Sequence, residues 1–406
     1  MDRIVVIGGG ASGILAGIYA KNNDNEVIIL EKNSKPLKKL LITGNGKCNY
    51  FNDDFNIKHY SSNNLEILEK IINEENKKGI LNFFDSIGIV PRIKNGYYYP
   101  ASNQAYSIYN ALLKESEIKG VKLKTDSKVI SIKKEEKFII TLENEVIECD
   151  KLVISTGSKA YPKTGSEGDG YIFATKLSHS VNKIYPALVA LISNNKVLKE
   201  LDGVRTNVKV TLSKDNKVLK SEIGEIQFTK DSLSGICIYN LSIMLFEEIN
   251  NNICININFL NEFNINTKED FISEFDNKIK IVKNRNITEL LEGYLNYKIV
   301  NVILKECNIK SDKKYEELTL EEKNILATKL IDYKFKIEGT KDYNSSQVCG
   351  GGISLEEINI ESFESKKIKN LYFVGEILDV CGECGGYNLG FAFLSGMLAG
   401  KSVSND

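Results

Sequence analysis

The stretch that decides the fold lies near the N-terminus and reads Ile4-Val5-Val6-Ile7-Gly8-Gly9-Gly10-Ala11-Ser12-Gly13. Its first four residues are apolar and β-branched, which is typical of a parallel strand that is covered on both faces. The glycines match G-x-G-x-x-G: Gly8 permits a tight turn, Gly10 lets a pyrophosphate approach the backbone, and Gly13 lets the next helix pack closely. Residues 14–20 have helical spacing, and the N-terminus of that helix offers unpaired N–H groups to phosphate.

An acidic residue ends the next predicted strand. Val27-Ile28-Ile29-Leu30 is a second apolar run, and Glu31 follows it, eighteen residues after Gly13. A carboxylate at this position can accept hydrogen bonds from both hydroxyls of a ribose, and it repels a 2′-phosphate. Strand, fingerprint, helix, strand and acid occur in order, and together they predict a bound dinucleotide.

The composition excludes several classes of protein. The 406 residues carry 53 Lys and Arg against 54 Asp and Glu, without a basic stripe, so no nucleic-acid partner is expected. A chain of this length exceeds the size at which a single hydrophobic core stops growing, which predicts two or three domains. Eight cysteines in so long a chain predict free thiols in the cytoplasm, and no metal site. The uncharged residues 4–20 include five glycines and are too short to span a membrane comfortably, so no membrane insertion is expected.

Two further segments extend the predicted nucleotide site. Residues 38–49 form a glycine-bearing loop with cationic and amide side chains, where an NAD-binding fold would carry another helix and strand. Such a loop can wrap a pyrophosphate and reach the ring end of a long cofactor; the alternative is a solvated basic loop. Residues 151–154 form another apolar strand that ends at Thr156-Gly157, and a turn at the carboxyl end of a parallel strand faces the ligand crevice.

The C-terminal region repeats this pattern. A buried strand at residues 371–374 leads to Gly375, Glu376 and Asp379, and residues 385–390 then open a helix that runs to about Ser402. A helix N-terminus directed at an isoalloxazine ring stabilises negative charge on the reduced flavin. The two ends of the chain together predict FAD; the alternative is a C-terminal helix that merely caps the sheet.

The predicted cofactor contacts come from these segments and from Val129, which is expected to contact adenine through its backbone. In chain order they are Gly8, Gly10, Ala11, Ser12, Gly13, Glu31, Lys32, Lys39, Gly44, Asn45, Gly46, Lys47, Cys48, Asn49, Val129, Thr156, Gly157, Gly375, Glu376, Asp379, Gly386, Tyr387, Asn388 and Leu389.

The same residues carry a family resemblance, because a set of motifs recurs together in one group of proteins. The motifs are residues 8–13 with Glu31, then residues 43–49, 99–102, 155–170, 186–189, 224–229, 233–235, 375–379 and 385–388. The sequence resembles the bacterial BaiN/YhiN-like flavoproteins, labelled NAD(P)/FAD-dependent oxidoreductases or aminoacetone oxidase-family proteins, over residues 1–402. One member class is associated with reducing carbon–carbon double bonds of oxidised bile acids. The sequence departs from the family at Lys38 and Lys47, where arginine is common; lysine keeps the charge but gives up bidentate geometry.

The middle of the chain is predicted to be an insertion. Alternating segments between Leu188 and Leu260 predict a small antiparallel sheet, whereas capping boxes at Thr267 and Thr319, and helical spacing over residues 290–307, predict helices. The expected fold class is α/β, with a discontinuous Rossmann-like FAD-binding domain, an inserted antiparallel β domain and a small helical subdomain. The expected boundaries are residues 1–187 and 346–406 for the FAD-binding domain, 188–261 and 334–345 for the β domain, and 262–333 for the helical subdomain.

Candidates for the proton donor rest on residue type and position alone. A flavin carries the electrons, and the protein supplies orientation and protons. Tyr161, His179 and Lys47 are the candidate catalytic residues, and Tyr387 is expected to be a positioning residue. The alternatives are that Tyr161 packs and that His179 satisfies carbonyl groups at a helix end.

The predicted reaction is two-electron transfer between flavin and a small or medium organic substrate, such as reduction of an activated C=C bond. No second fingerprint occurs mid-chain, so two alternatives stay open: NADH or NADPH binds transiently as the reductant, or the enzyme is an oxidase that uses dioxygen. Other hypotheses are an amine or amino-ketone oxidase, a disulfide reductase that uses Cys381 and Cys384 of a C-x-x-C motif, and a non-catalytic flavoprotein that senses redox state or modifies RNA with a partner. The sequence makes no prediction of oligomeric state.

Overall fold

The computed structural model describes residues 2–245, 252–282 and 284–405, with the backbone alone for Asn405. The parts of the predicted domains at residues 246–251 and 283 lie outside the described residues. The chain divides into two compact units, one formed by residues 1–187 and 343–406 and the other by residues 188–342. The second unit is therefore an insertion in the sequence of the first.

Strands and helices follow one another along the chain. The strands are β1 (Asp2–Ile7), β2 (Asn25–Leu30), β3 (Phe51–Asn52), β4 (Tyr60–Ser61), β5 (Pro91–Lys94), β6 (Tyr97–Pro100), β7 (Lys122–Lys124), β8 (Val129–Lys134), β9 (Phe138–Leu142), β10 (Val146–Cys149), β11 (Lys151–Ile154), β12 (Tyr185–Ala187), β13 (Leu191–Ile192), β14 (Arg205–Lys214), β15 (Lys217–Phe228), β16 (Ser232–Ser234), β17 (Ile253–Asn258), β18 (Tyr333–Lys336), β19 (Gly339–Thr340), β20 (Val348–Gly350), β21 (Ile358–Asn359), β22 (Glu364–Ser365), β23 (Leu371–Phe373) and β24 (Cys381–Gly382). The α-helices are α1 (Ala11–Ala20), α2 (Lys38–Ile42), α3 (Leu65–Leu68), α4 (Glu74–Ser86), α5 (Ala105–Lys119), α6 (Asp169–Lys176), α7 (Leu198–Leu201), α8 (Ile236–Ser242), α9 (Lys268–Ile281), α10 (Ile287–Glu292), α11 (Tyr297–Glu306), α12 (Leu320–Ile331) and α13 (Tyr387–Asn405).

The first unit is built around a Rossmann-type sheet. Its strand order is β21-β22-β23-β11-β1-β2-β7, and β23, β11, β1, β2 and β7 run parallel. Residues 4–7 of β1 are buried between β2 and β11, which explains why this strand is apolar at every position rather than at alternate ones. The predicted α/β fold class with a discontinuous Rossmann-like unit is confirmed.

Helices α1 and α13 approach each other at backbone distance. A Cβ built on Gly396 would lie 2.3 Å from the carbonyl oxygen of Ser12, and one on Gly400 would lie 2.6 Å from that of Ala16. Because no side chain fits at these two positions, the glycines of α13 let the C-terminal helix pack directly on the N-terminal one. The two ends of the chain are thereby joined in one hydrophobic core.

The second unit contains an antiparallel sheet and a group of helices. The strand order is β18-β17-β14-β15-β16-β13-β19, and helices α9 to α12 share a single hydrophobic cluster with it. Both predicted capping boxes are present, with Thr267 accepting from the N–H of Asp270 and Thr319 from that of Glu322. Since sheet and helices have one core in common, a separate helical subdomain stays a proposal.

The helical spacing over residues 290–307 is divided between two helices. Helix α10 ends at Glu292, and α11 begins at Tyr297. Gly293 follows the last residue of α10, and the Asn296 side chain accepts from the N–H of Lys298 at the start of α11. Asparagine competes well for N-cap positions, so it starts a new helix although the apolar spacing continues.

Among the helices of the described residues, none combines the length and the apolar character that crossing a bilayer requires.

Adding one methyl group between α1 and α13 is expected to destabilise the first unit. Gly396→Ala places a Cβ against the backbone of Ser12, and overpacking of this kind costs about 2 kcal/mol. Gly79→Ala in α4 is the matched control, because the nearest atom there is the flexible Cε of Met397 at 3.3 Å; the helix propensity of alanine should make it neutral or stabilising by up to about 1 kcal/mol. Urea unfolding followed by circular dichroism measures both free energies, and equal values for the two variants would contradict the close packing.

Candidate active site

Three loops meet at the carboxyl edge of the parallel strands. They follow β1, β11 and β23 and span residues 8–13, 155–157 and 374–379. The Ser155 hydroxyl donates to the carbonyl groups of Ile7 at 2.8 Å and Gly8 at 2.9 Å, and the N–H of Val374 donates to the carbonyl of Ile154 at 3.1 Å. This edge is where doubly wound folds bind their ligands.

The first loop leaves space at one glycine and closes it at two others. A Cβ on Gly10 would meet no atom within 4 Å, whereas one on Gly8 would lie 2.5 Å from the carbonyl oxygen of Ser155 and one on Gly13 would lie 2.0 Å from that of Gly8. Gly10 also precedes α1, whose first N–H groups have no partner within the helix. An open approach to a helix N-terminus fits the pyrophosphate of a dinucleotide.

Glu31 is buried at the end of β2 and already accepts hydrogen bonds. One carboxylate oxygen accepts from the N–H of Gly9 at 2.8 Å, and the other accepts from the N–H of Asn33 at 2.8 Å and from its side-chain amide at 2.7 Å. A carboxylate has about four acceptor positions, and three are used, so one remains for a ribose hydroxyl. The N–H of Ser127 donates to the Glu31 carbonyl, which brings the chain leading to Val129, at the start of β8, alongside this residue.

Two buried side-chain oxygens at predicted cofactor positions have no hydrogen-bond partner. They are Oγ1 of Thr156, in the loop after β11, and Oδ1 of Asn49. An unpaired buried polar atom costs free energy, and such atoms are uncommon in folded proteins. Because a flavin and its ribityl chain bring polar groups, the residues present at this edge fit FAD.

The loop at residues 43–49 follows α2 as a tight turn. Gly44, Asn45 and Cys48 adopt the left-handed backbone conformation, and residues 43–46 form a single 3₁₀ turn. Burial raises the pKa of the Cys48 thiol to about 12, so this side chain stays protonated and packs. Lys47 is exposed beside it, and among the described residues no hydrogen bond or ion pair engages its ammonium group.

The residues that lead into α13 lie against residues 49–51, at the end of the 43–49 loop. A Cβ on Gly386 would lie 2.5 Å from the carbonyl oxygen of Phe51 and 2.9 Å from Oδ1 of Asn49. The Asn388 side chain accepts from the N–H of Gly382 at 2.8 Å and donates to its carbonyl at 2.7 Å, while Leu389 is half-buried. The unpaired oxygen of Asn49 and the N-terminus of α13 are therefore neighbours.

His59, which the sequence analysis did not single out, connects the residues before β4 with the start of α13. His59 places Nδ1 2.7 Å from Glu383 and Nε2 2.9 Å from Asp54, and its ring stacks on Tyr387 with 4.4 Å between centroids. Hydrogen bonds from His59 and Lys58 lower the pKa of Asp54, and burial raises the pKa of Tyr387. The only available signal in the sequence was that His59 is one of two histidines.

Asp379 is engaged by two asparagines that the sequence did not single out. Its Oδ2 accepts from the N–H of Asn63 at 3.1 Å, from the Asn63 side chain at 2.8 Å and from the Asn182 side chain at 2.9 Å. Asp379 is buried, so these bonds join three distant segments around the loop after β23. Its predicted contact with a cofactor hydroxyl stays a prediction.

The remaining charged candidates form ion pairs at the same edge. Lys39 lies 2.6 Å from Glu376, to which the Ser158 hydroxyl also donates at 3.3 Å. Lys32 lies 2.7 Å from Asp169 at the start of α6. The ion pairs show that Lys32 and Lys39 stabilise neighbouring loops, and their cofactor contacts stay predictions.

The candidate catalytic residues lie in different environments. His179 is buried, its two ring nitrogens bond the Leu177 carbonyl at 2.9 Å and the Ser365 hydroxyl at 2.7 Å, and burial lowers its pKa. Tyr161 occupies a left-handed position before a short 3₁₀ turn, with its N–H donating to the carbonyl of Tyr343. The bonds of His179 favour its structural interpretation, whereas Lys47 is exposed and unengaged; all three catalytic assignments stay predictions.

One cysteine of the C-x-x-C motif, Cys381, is unsuited to easy thiolate formation. Cys381 and Cys384 are both free thiols, and Cys381 is buried in β24. Burial raises the pKa of Cys381 well above its ordinary value, and nearby acidic groups, among them Cys349 and Glu376, raise it further. Since the thiolate is the form that exchanges with a disulfide, this environment opposes the dithiol hypothesis. Within the described residues no cluster of three or more His, Cys, Asp or Glu is arranged to hold a metal ion.

The fold and the comparisons with known proteins identify the chain as an FAD-dependent oxidoreductase of the Rossmann type. Residues 2–402 match the family described as HI0933-like protein Rossmann domain, and the chain belongs to this family. The predicted resemblance to the BaiN/YhiN-like flavoproteins is thereby confirmed.

Two relatives and one solved structure illustrate what the chain is similar to. It is 32% identical to a 3-dehydro-bile acid delta(4,6)-reductase of Clostridium scindens, over 100% of this chain and 99% of that protein. It is 26% identical to a ribosomal RNA dihydrouridine synthase of Escherichia coli, over 97% of this chain and 96% of that protein. A 3-ketosteroid-delta4-(5alpha)-dehydrogenase of Rhodococcus jostii shares the fold, with a TM-score of 0.51, 13% identity, and coverage of 100% of this chain and 97% of that one.

Alanine at position 10 is expected to weaken FAD binding without unfolding the protein. The Cβ occupies empty space in the chain itself, so the free energy of unfolding should change by less than about 1 kcal/mol. The same methyl group displaces a pyrophosphate, and the Kd for FAD should rise roughly tenfold or more. Gly339→Ala is the control, because a Cβ there is equally free of neighbours but lies in the second unit. Urea unfolding of the apoproteins measures the free energies of unfolding, and reconstitution with FAD measures the Kd of each variant. An unchanged affinity in Gly10→Ala would contradict the assignment of the pyrophosphate site.

Replacing Glu31 by glutamine is expected to weaken FAD binding. The amide keeps the size of the side chain but loses the charge and one acceptor, and charge-assisted hydrogen bonds of this kind correspond to roughly a tenfold change in Kd. Glu26→Gln removes a carboxylate at the other end of β2, where Glu26 pairs with Arg3 and Lys122. Titration of flavin fluorescence should show a loss of FAD affinity for Glu31→Gln only. Equal Kd values in the two variants would refute the ribose contact.

Proposed function

We propose that this protein reduces a carbon–carbon double bond conjugated with a carbonyl group, with NADH or NADPH as the electron source. The overall reaction consumes the double bond, one NAD(P)H and one proton, and yields the saturated bond and NAD(P)⁺. FAD, when bound, accepts two electrons from the nicotinamide and delivers them to the substrate. A reductant that binds transiently is consistent with the single glycine fingerprint in the sequence.

The observation that carries the proposal is what two full-length relatives have in common. One is named a bile acid delta(4,6)-reductase and the other a dihydrouridine synthase. A dihydrouridine differs from uridine by two hydrogens across a ring double bond next to a carbonyl group. Both names therefore describe the saturation of an activated double bond, on very different molecules.

The residues of this chain supply binding and positioning in the proposed reaction. Gly10 and the start of α1 receive the pyrophosphate, Glu31 the ribose, and the unpaired oxygens of Thr156 and Asn49 the polar groups of the cofactor. The N-terminus of α13 favours negative charge on the reduced flavin. Lys47 is the proposed proton donor, because its exposed ammonium group has no protein partner among the described residues.

RNA modification is the second candidate. The dihydrouridine synthase relative argues against the expectation that no nucleic acid is involved. The balanced overall charge limits such a function to a local patch of the surface. Localisation in the cytoplasm and a small-molecule substrate also stay proposals.

An anaerobic titration tests the proposed function. NADH or NADPH should bleach the flavin bands of the holoenzyme, and a cyclic enone added afterwards should restore them with formation of the saturated ketone. The double variant Cys381→Ser/Cys384→Ser should turn over within roughly twofold of the unmodified protein, because the dithiol takes no part. If the flavin remains oxidised with both nucleotides, NAD(P)H is not the electron source. Loss of turnover in the serine variant would support the dithiol hypothesis instead.

A further inference from the structure

Strand β15 of the second unit has a neighbouring strand on only one side over most of its length. It pairs with β14 from Lys217 to Gln227, but with β16 only at Gln227 and Phe228. Among the described residues, no further strand pairs with it. The side of β15 that faces away from β14 over residues 217–226, called the β15 edge below, is therefore open to another strand.

The backbone groups of every second residue point to the β15 edge. The N–H of Phe228 donates to the Val204 carbonyl at 3.0 Å, and the Phe228 carbonyl accepts from the N–H of Gly203 at 3.0 Å, both on the β14 side. Because backbone groups alternate between the two sides of a strand, those of Ser221 and Ile223 point away from β14. Within the described part of the chain, no backbone hydrogen bond from a turn, loop or helix cap engages these two residues.

Large apolar side chains are exposed along the same stretch. The exposed fraction is 60% for Val218, 40% for Leu219 and 67% for Ile223. The register of the β14–β15 pair shifts between Leu212 and Ser213, so Leu219 has no residue opposite it on β14. An exposed apolar group beside an open strand edge indicates a surface that a protein partner covers.

The sequence of the β15 edge is complementary to itself in the antiparallel direction. If a second copy of the chain is related to the first by a two-fold axis at Ser221, each residue before Ser221 faces the residue equally far after it in the other copy. Opposite charges then meet, and apolar residues meet an apolar residue or glycine: Lys217 with Glu225, Val218 with Gly224, Leu219 with Ile223, and Lys220 with Glu222.

Neighbouring registers lose this match. Residues that pair across two strands share a face, so the axis can move only from one residue to another. An axis at Lys220 or Glu222 places two like charges opposite each other, which is destabilising. An axis at Leu219 or Ile223 leaves every lysine and glutamate of the edge opposite an uncharged residue. The charges therefore favour the register that is centred on Ser221.

We propose that two copies of this chain dimerise by pairing their β15 edges about a two-fold axis at Ser221, which joins the two antiparallel sheets into one. Such a contact uses the same patch on both copies. Main-chain hydrogen bonds supply affinity, and the side chains select the register. One strand pair buries less than the standard interface of about 1,600 Å², so the dimer should dissociate at micromolar concentrations.

Sedimentation velocity of the holoenzyme between about 1 and 200 µM tests the dimer, and the mass should rise from one chain to two over this range. Ile223→Lys should raise the Kd for dimerisation roughly tenfold or more, because it places a cation opposite Leu219 of the other copy. Ile172→Lys is the matched control, since Ile172 is 57% exposed and lies in α6 of the first unit; its Kd should equal that of the unmodified protein. A holoenzyme that stays monomeric throughout, or an equal Kd in Ile223→Lys, would overturn the proposal.

Two complementary charge variants test the register. Lys217→Glu and Glu225→Lys each place like charges opposite each other at both ends of the contact, and each should weaken dimerisation roughly tenfold. An equimolar mixture of the two variants should dimerise like the unmodified protein, because every glutamate at these positions then faces a lysine of the other variant. A mixture that dimerises as weakly as its components would overturn the register.

A cysteine at the axis gives a covalent test. Ser221→Cys brings two thiols together on residues whose Cα atoms are about 5.5 Å apart in the pairing, which is within the reach of a disulfide. Oxidation with diamide should then link two chains. Lys217→Cys is the control in the same strand, because the two copies of position 217 are about 27 Å apart. Equal linkage in both variants, or none in Ser221→Cys, would contradict the axis. The flavin absorbance and circular dichroism of each variant show that it is folded.

Discussion

Helix α1 contacts three other segments of the first unit at glycines, and none of these contacts leaves room for a further side chain. Gly13 lies against the carbonyl of Gly8, Gly375 against the side chain of Ser12, and Gly396 against the Ser12 carbonyl. The glycine turn, the loop after β23 and the C-terminal helix are thus held at fixed distances from one helix. The cofactor edge of the sheet exists because these close approaches bring both ends of the chain together.

This packing creates a buried, polar edge at which two side-chain oxygens lack a hydrogen-bond partner. Glu31, Glu376 and Asp379 are bound by neighbouring N–H, amide or ammonium groups, whereas Thr156 and Asn49 each keep one oxygen without a partner. The cost of those two oxygens is offset once a ligand with complementary polar groups binds. Positioned side chains around an unsatisfied crevice are what a flavoprotein needs, because the flavin supplies the electron chemistry and the protein supplies the orientation.

Much of the first unit could be predicted from the sequence because its signals are local. The glycine fingerprint, the acid after β2 and the glycine-rich start of α13 each depend on a few adjacent residues. The contacts that complete the site depend on residues far apart in the chain, such as His59 with Glu383 and Asn63 with Asp379. No periodicity or motif identifies such partners, since an asparagine or histidine in a loop carries no local pattern.

The surroundings of other predicted residues also depend on contacts that the local sequence does not show. His179 is a candidate acid by residue type, and its hydrogen bonds to the Leu177 carbonyl and to Ser365, 186 residues away in the chain, favour the structural alternative. The helical spacing over residues 290–307 is divided between two helices at Asn296, because side-chain capping outweighs apolar spacing there.

The central claim is that FAD lies across the edge formed by α1, the loop after β11 and the start of α13. A crystal structure of the holoenzyme tests it most directly. The account predicts the pyrophosphate opposite Gly10, the ribose at Glu31, and cofactor polar atoms within hydrogen-bonding distance of Thr156 Oγ1 and Asn49 Oδ1. A flavin bound elsewhere, or one that leaves both oxygens without a partner, would contradict it.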